Sequence, residues 1–249
     1  MNESSAHEPP LSSTAADGWD SPLVRYMLAR ELEYFDQTIP DIFGFYALQI
    51  GLPQHPMLCQ TRIPNHWTLD FNAPAQILAD PHALPFPEDS LDLVALPHAL
   101  EFTDDPHQIL REAWRALRAE GHLLISGLNP YSLFGLRRRF GHNQTPPWMG
   151  GFISPYRVKD WLSLLSFDIV GGAFAVYAPP FKTERWLNRA AWLEEAGDRW
   201  WPIAGAVYFL HAVKKVAGMR VVTPVWKRDA RRRNWVAAHR EPYQEKHDC

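Results

Sequence analysis

The sequence predicts a single α/β domain in which a mainly parallel sheet is covered by helices. Short apolar segments of the kind that form buried strands alternate with segments whose apolar residues recur at helical spacing. The connections between these segments are short, which favours parallel strands joined by crossover helices. The chain has 249 residues, of which 46% are apolar, so it is long enough to bury one sizeable core.

The predicted elements follow one another from residue 21 onward. The first helix begins at Ser21-Pro22, where serine suits the cap and proline the first turn, and it ends before Pro40. Predicted strands lie at 43–51, 66–71, 75–79, 91–96, 122–128, 167–177 and 205–213. In a sheet of this kind a ligand lies beyond the carboxyl ends of the parallel strands, so the segments that follow those ends are where a site is expected.

The clearest helix follows Asp105, which is a predicted N-cap with proline as the next residue. Gln108 is the third helical residue, so the pair predicts a capping box. The apolar residues Ile109, Leu110, Ala113, Trp114 and Leu117 share one face, and Gly121 is expected to close the helix. A second capped helix is predicted to start at Ser154-Pro155.

The remaining segments divide the chain into a domain at 19–217 and two tails. Residues 1–18 are rich in Ser, Pro, Glu and Ala, which indicates a disordered lead-in. Residues 218–249 are basic, so they are either a solvated end or a surface for a phosphate-bearing partner such as a nucleic acid. Within the domain, the Trp-rich insertion at 181–201 is either a packing helix or a substrate lid.

Composition and missing motifs exclude several classes of function. The formal net charge of −3 gives no overall attraction to nucleic acid or membrane. Two cysteines without metal-type spacing predict neither a disulfide framework nor a zinc site, and they favour a reducing cytoplasm. We expect no metal and no membrane span. A phosphate-binding loop and the Gly-x-Ser-x-Gly elbow of α/β hydrolases are both absent from the sequence.

One block of the sequence carries a family resemblance. Residues 80–94 read DPHALPFPEDSLDLV, residues 98–102 read HALEF, and residues 105–121 read DPHQILREAWRALRAEG. This block resembles the class I S-adenosylmethionine (SAM)-dependent methyltransferases of the small-molecule group related to the ubiquinone-pathway enzymes. More loosely, residues 47–51 match the first strand and glycine-rich loop of that fold, and residues 205–212 match its final antiparallel strand.

The resemblance implies a Rossmann-like, seven-stranded sheet in the order 3-2-1-4-5-7-6, with helices on both faces and with SAM bound across strands 1, 2 and 4. It implies that Gly51 is the loop glycine that approaches the methionine part of SAM, next to Gln49, which stands where the family has an acid. Asp70, after the second strand, is the candidate for binding the ribose hydroxyls, and Asp80 is the candidate for the adenine amino group. The cofactor hypothesis depends on the Asp80 carboxylate lying at the carboxyl edge of the sheet, beside a hollow able to hold an adenosine-sized ligand.

The resemblance also assigns three apolar residues to the cofactor site. Leu84 corresponds to a packing residue of the loop that follows Asp80. Leu96 and Pro97, at the end of the fourth strand, would line the floor under the sulfonium of SAM.

Three departures from the family pattern affect the cofactor-binding half. The loop after the first strand keeps one glycine and places Pro53 where proline cannot replace glycine neutrally. The family donates to adenine from the backbone N–H that follows the acid, and Pro81 has none. Only residues 52–79 separate Gly51 from Asp80, which is too short for two helices and a strand, so at least one early helix is expected to be missing.

The candidate catalytic and substrate-binding residues follow the fourth strand and residue 128. Methyl transfer mainly requires positioning, although a base helps a hydroxyl or an acidic carbon to react. His98 and Glu101 are the candidate bases; the alternatives are a structural or capping histidine and a solvated turn glutamate. Residues 137–139 are three arginines, which either recognise an acidic substrate or form a solvated basic loop.

Two functions follow from this sequence. The first is SAM-dependent methylation of a small molecule. The second is a non-catalytic relative of such an enzyme, with weakened or lost SAM binding, that serves as a binding or scaffold protein. A phosphate-bearing partner held by residues 137–139 and the basic tail is a third and less favoured possibility.

Overall fold

A computed structural model describes residues 21–140, 148, 150–179 and 200–215. Their strands form one seven-stranded sheet in the order β3-β2-β1-β4-β5-β7-β6, which confirms the predicted fold class and strand order. The strands are β1 Tyr46–Ile50, β2 Asn65–Asp70, β3 Ile77–Leu78, β4 Leu91–Pro97, β5 Leu117–Leu128, β6 Phe167–Ala175 and β7 Val207–Lys214. Strands β1 to β5 are parallel, and β7 is antiparallel to both of its neighbours.

Helices cover both faces of the sheet. They are α1 Pro22–Thr38, α2 Pro106–Ala116, α3 Leu133–Phe140 and α4 Pro155–Leu164, with short 3-10 helices at Ile39–Asp41 and Pro202–Ala204. Side chains along a strand point alternately to opposite faces, and β4 shows this directly. Leu93 and Ala95 pack in the core on the α1 face, whereas Val94 and Leu96 pack in the core formed with α2 and α4.

The cofactor-binding half of the fold is shortened, as predicted. All of residues 42–105 are described, and none of them is helical. On the α1 face, the connection from β1 to β2 instead buries Leu52, Met57, Leu58 and Ile63 against the helix. Each buried side chain of this size stabilises the fold by about 1.5–3 kcal/mol, so an irregular loop provides core packing where a helix is absent.

Helix α2 departs from its predicted ends. Asp105 accepts from the Gln108 backbone N–H at 3.0 Å, which confirms the N-cap. The capping box is wrong, however, because the Gln108 side chain donates to the His82 carbonyl at 3.0 Å instead of returning to Asp105. The helix ends at Ala116 because Leu117 already pairs with Leu91 of β4, and Gly121 therefore lies inside β5.

Helix α3 was not predicted, and its three arginines are helical where the sequence suggested a loop. Its N-terminus is capped by Ser132, whose Oγ accepts from the Gly135 backbone N–H at 3.2 Å. Glycine is a poor helix former, which hides the helix in the sequence. It is required here because a Cβ at Gly135 would come within 2.0 Å of the Pro130 carbonyl oxygen.

Strands β5 and β7 bring two histidines together. His122 Nδ1 lies 2.8 Å from His211 Nε2, so one ring donates a hydrogen bond to the other. Burial, followed by repulsion from His122, lowers the pKa of His211 to about 4. Burial and then Arg118 lower the pKa of His122. Both rings therefore favour the neutral state in the folded protein.

The histidine pair is expected to make the fold less stable in acid. Because the folded-state pKa values are lowered, the pair stabilises the protein above about pH 6.5, the ordinary pKa of histidine, and this contribution is lost as pH falls toward 4. The rings are partly exposed, so we expect the pair to contribute about 1 kcal/mol to the free energy of unfolding after allowance for solvent screening. Urea unfolding measures the free energy of unfolding at pH 7 and at pH 4.5. The decrease between the two pH values should be smaller for His211→Gln than for the wild type. Equal losses would contradict this role.

The predicted lead-in at 1–18, most of the Trp-rich insertion at 181–201 and the basic tail at 218–249 lie outside the described residues. The interpretations of these segments therefore stay predictions.

Candidate functional site

The candidate site lies at the carboxyl edge of the parallel strands. Ile50 pairs with Leu69, and Asp70 pairs with Leu78, so the ends of β1, β2 and β3 lie side by side. Gln49 pairs with Ala95, which brings the end of β4 to the other side of β1. The residues predicted to bind the cofactor from the ends of β1 to β4 are therefore arranged along one edge.

Gln49 organises the loop that follows β1. Its side-chain amide donates to the carbonyl oxygens of Gly51, Leu52 and His55 at 3.0–3.1 Å, and its Oε1 accepts from the Met57 backbone N–H at 2.8 Å. The side chain is fully buried. These bonds satisfy backbone groups that a helix would otherwise satisfy internally. The structure thus gives Gln49 a loop-shaping role instead of the predicted contact with a cofactor.

Gly51 has the backbone conformation that the sequence predicted. Its φ of +87° is strained for other residues, and its N–H donates to the Leu69 carbonyl at 3.0 Å. A Cβ at this position would lie 3.2 Å from the Pro97 carbonyl oxygen and 3.4 Å from the Ala99 Cβ. The space that glycine leaves is therefore bordered by the turn after β4.

Asp70 lies at the end of β2, beside Gly51. Its Oδ1 accepts from the Asn72 backbone N–H at 3.2 Å. Burial is the main cause that raises the pKa of this carboxyl, and hydrogen bonds from backbone N–H groups oppose the rise. A partly buried carboxylate at the end of the second strand suits hydroxyl donors such as those of a ribose.

Asp80 also lies at this edge, just after β3, as the cofactor hypothesis requires. About half of its side chain is exposed, at 49%. Its Oδ1 accepts from the His82 backbone N–H at 2.8 Å and lies 2.7 Å from His82 Nδ1. His82 Nε2 lies 2.6 Å from Thr103 Oγ1. Among the described residues, no donor contacts Oδ2, so this oxygen is the one available to an adenine amino group.

The sequence interpretation missed His82 and Thr103 as supports of Asp80. The signal was present, because Asp80-Pro81-His82 has the spacing at which an aspartate side chain bonds the backbone two residues on. Thr103 could not be found this way, because its contact with His82 depends on the fold.

Two of the predicted lining residues belong to the core. Leu84 is buried, and its backbone is clamped to α2 by Glu112 Oε2, which accepts from its N–H, and by Arg115, which donates to its carbonyl. Leu84 therefore packs against α2, and its place in the cofactor site stays a prediction. Leu96 has an exposed fraction of 0% and packs in the core formed with α2, so the prediction that it lines a floor is wrong. Pro97 is also buried and presents its carbonyl oxygen to Gly51.

His98 lies at the centre of a buried hydrogen-bond network. Its Nε2 is 2.7 Å from Glu31 Oε1 of α1, and its Nδ1 is 3.0 Å from Glu101 Oε2. The second oxygen of Glu31 accepts from Ser126 Oγ at 2.9 Å, and the second oxygen of Glu101 accepts from the Leu128 backbone N–H. Each of the four carboxylate oxygens therefore has a donor.

The two carboxylates determine the charge of His98. Burial alone would lower the pKa of this imidazole, but attraction to Glu31 and Glu101 outweighs burial and raises the pKa to about 10. His98 is therefore a cation at neutral pH, with both ring nitrogens donating. A protonated, fully bonded imidazole cannot accept a proton, so the geometry favours a structural histidine over a catalytic base, and catalysis by His98 stays a prediction.

Glu101 is buried, so the alternative of a solvated turn residue is wrong. Glu101 is not favoured as a base either, because both of its carboxylate oxygens already accept hydrogen bonds within the network. Glu31 was missed as a member of this network. The sequence does carry a signal for Glu31, because an acidic residue four positions after Met27 lies on the apolar face of the helix.

The arginines of α3 are partly engaged with neighbouring aromatic rings. Arg138 donates from Nε to the Trp148 carbonyl at 3.0 Å and lies 4.9 Å from the Phe152 ring centre. Arg137 lies 5.0 Å from the Trp148 ring centre. Such contacts position the helix against the domain.

The described residues lack two features that other kinds of function require. Within residues 21–140, 148, 150–179 and 200–215, no three His, Cys, Asp or Glu side chains form a group able to hold a metal ion. In the same ranges, no helix combines the length and hydropathy needed to cross a bilayer.

Comparisons with known proteins place this geometry in a family. Residues 55–125 match the model of the methyltransferase domain. The chain is 37% identical over 169 residues to the uncharacterized protein YafS of Escherichia coli, covering 65% of this chain and 69% of YafS.

Solved structures show the same fold at low sequence identity. A SAM-dependent methyltransferase from Thermotoga maritima has a TM-score of 0.61 at 16% identity, covering 80% of this chain and 95% of its own. A second SAM-dependent methyltransferase, from Archaeoglobus fulgidus, has a TM-score of 0.52 at 18% identity; the match covers 80% of this chain and 96% of that one. The chain therefore belongs to the protein family that includes YafS, and its fold is that of the class I methyltransferases.

Proposed function

We propose that this protein is a SAM-dependent methyltransferase whose acceptor is a small molecule. The methyltransferase-domain match and the fold support the reaction class. The observation that carries the proposal is the pair of carboxylates, Asp70 and Asp80, at the ends of adjacent strands β2 and β3. One carboxylate is then available for a ribose and the other for an adenine.

The described residues fit the adenosine part of SAM. Adenosine offers hydroxyl and amino donors, and carboxylates are the matching acceptors. Asp70 presents a partly buried carboxyl, and Asp80 has an oxygen without a donor among the described residues. His82 holds the other Asp80 oxygen and thereby orients the carboxylate. SAM, when bound, supplies a methyl group on a sulfonium, and its in-line transfer depends chiefly on positioning.

The proposal also bears on the acceptor. Both ring nitrogens of His98 are bonded to buried carboxylates, so the reaction that we propose does not use this histidine as a base. We infer an acceptor whose nucleophilic atom has a free lone pair at neutral pH, such as an aromatic ring nitrogen, since such an atom attacks without prior removal of a proton, whereas an alkyl amine is protonated at this pH.

The second candidate function, a non-catalytic binding protein, is favoured by a different observation. The loop after β1 is folded around Gln49, and Gly51 lies close to Pro97 and Ala99, where the family fold accommodates the methionine part of SAM. Pro81 also lacks the N–H that the family uses toward adenine. The folded loop weakens the methionine side of the site and Pro81 weakens the adenine side, whereas the carboxylates of Asp70 and Asp80 are unaffected.

Titration calorimetry with SAM and S-adenosylhomocysteine tests the proposal. We expect binding by the wild type and a loss of about 10- to 100-fold in affinity for both Asp80→Ala and Asp70→Ala, the usual effect of deleting a charged hydrogen-bond acceptor. Asp160→Ala, an exposed acid on α4, is the matched control and should bind like the wild type. If the wild type releases no heat at millimolar ligand, the binding-protein function takes its place.

A further inference from the structure

Helix α3 presents an apolar face to solvent. Phe134 is buried and stacks on Trp148, and Arg138 bonds the Trp148 carbonyl, so these two side chains define the inner face. Leu133, Leu136 and Phe140 recur at spacings of three and four, as residues on one helix face do, and they are 50%, 53% and 80% exposed. Exposure of several apolar side chains to water on one helix face is unfavourable.

A second exposed apolar segment adjoins this face through Asn129. The Asn129 side chain donates to the carbonyls of Ile203 and Gly205 at 2.7 and 2.9 Å and accepts from the Tyr131 backbone N–H at 3.0 Å. It therefore ties the start of α3 to the segment before β7. The exposed apolar side chains of these two linked segments, which we call the α3 surface, are Tyr131, Leu133, Leu136, Phe140, Trp201 and Ile203.

The segment of the chain that carries α3 is basic. Between Glu120 and Asp160 the sequence has no Asp or Glu, whereas it has four arginines and one lysine. Three of the arginines, at 137–139, lie on α3 itself, and Arg139 is exposed. The surface thus combines exposed Leu and Phe with Tyr, Trp and positive charge.

We propose that the α3 surface binds to the interface of an anionic lipid bilayer. Leu and Phe side chains enter the acyl boundary, Tyr and Trp favour the headgroup level, and arginines attract anionic headgroups. A nucleic acid would match the arginines but would not bury Leu133, Leu136 and Phe140, because its outer surface is phosphate. The combination therefore favours lipid over nucleic acid.

This surface lies beside the candidate site. Helix α3 follows the carboxyl end of β5, which is the same edge of the sheet that carries the ends of β1 to β4. Binding to a bilayer would bring that edge close to the membrane. The proposal does not depend on SAM binding, because the α3 surface includes none of the residues assigned to the cofactor.

Vesicle sedimentation with the full chain tests the proposal. We expect the wild type to sediment with phosphatidylcholine vesicles that contain phosphatidylglycerol, and less with phosphatidylcholine alone. Phe140→Asp should lower the partition coefficient by about ten-fold, because it removes a deeply inserting ring and adds a repelled charge. Leu164→Asp is the matched control, since Leu164 of α4 is 79% exposed and lies outside the α3 surface; it should sediment like the wild type.

Three outcomes would overturn the proposal. One is a wild type that does not sediment with anionic vesicles at low salt. Another is equal sedimentation of the wild type and the double variant Leu136→Asp/Phe140→Asp, since binding would then come from charge elsewhere in the chain. The third is a dimer in gel filtration that Phe140→Asp dissociates without any vesicle binding, which would assign the α3 surface to a second copy of the chain. Circular dichroism confirms in each case that the variant is folded.

Discussion

Replacing Glu31 with alanine is expected to lower the free energy of unfolding by about 3–5 kcal/mol. Glu31 is fully buried and accepts from both His98 and Ser126. Its removal leaves the His98 imidazolium with Glu101 as its remaining carboxylate partner in the network, and it leaves the Ser126 hydroxyl without its acceptor. The effect is large because two buried donors, His98 Nε2–H and the Ser126 hydroxyl, lose the carboxylate that accepts their hydrogen bonds. Urea unfolding at pH 7 measures the change.

Glu33→Ala is the matched control for this prediction. Glu33 lies on the same helix and pairs with Arg30 at 2.9 Å, but about half of its side chain is exposed. We expect a change of about 0–1 kcal/mol, as for other surface pairs. A loss for Glu31→Ala no larger than that of Glu33→Ala would show that the network does not stabilise the fold.

Raising the pH from about 6.5 to 10 is expected to destabilise the protein through His98. Its folded-state pKa is raised to about 10 by the two carboxylates, above the ordinary value of 6.5. A group with a raised pKa contributes its full stabilisation below the unfolded pKa and loses it as pH rises through the folded one. The slope from this one group is at most about 1.4 kcal/mol per pH unit. Urea unfolding at intervals across this range measures it.

The Glu31→Ala variant separates His98 from the other groups that titrate in alkali. Without Glu31 one of the two carboxylates that raise the pKa of His98 is gone, so the slope between pH 6.5 and 10 should become shallower than in the wild type. Parallel slopes for the two proteins would contradict the assignment to His98. This dependence is opposite in direction to the one expected from His122 and His211, so the two can be distinguished by pH range.

Much of the fold was predictable because strand and helix periodicity depend on local sequence. Capping by Ser21 and Asp105 was anticipated from local residues, whereas the strand order was anticipated from the family resemblance. Local sequence does not predict which partners distant residues will find. Glu101 was a candidate base with a solvated turn residue as the alternative, but it is buried, and Leu128 and His98 satisfy its oxygens. Leu96 was assigned to a ligand floor, but its face of β4 is covered by α2.

The candidate site was predictable to a similar extent. The positive φ of Gly51 and the position of Asp70 and Asp80 at one edge follow from strand ends and residue types. The contact of His82 with Thr103 and the link from Glu31 to His98 join residues 21 and 67 positions apart. Contacts of that range depend on the packing of elements, which one sequence does not reveal.

Gln49 connects two departures from the family pattern that the sequence showed as separate. Three backbone carbonyls converge on its amide nitrogen, and a carboxylate in that place could donate to none of them. The exchange of the family's acid for an amide and the replacement of a helix by a compact loop are therefore compatible only with each other. Restoring the acid by itself would set a negative charge against three oxygen atoms. An acid at position 49 would therefore require a different path for the segment after β1.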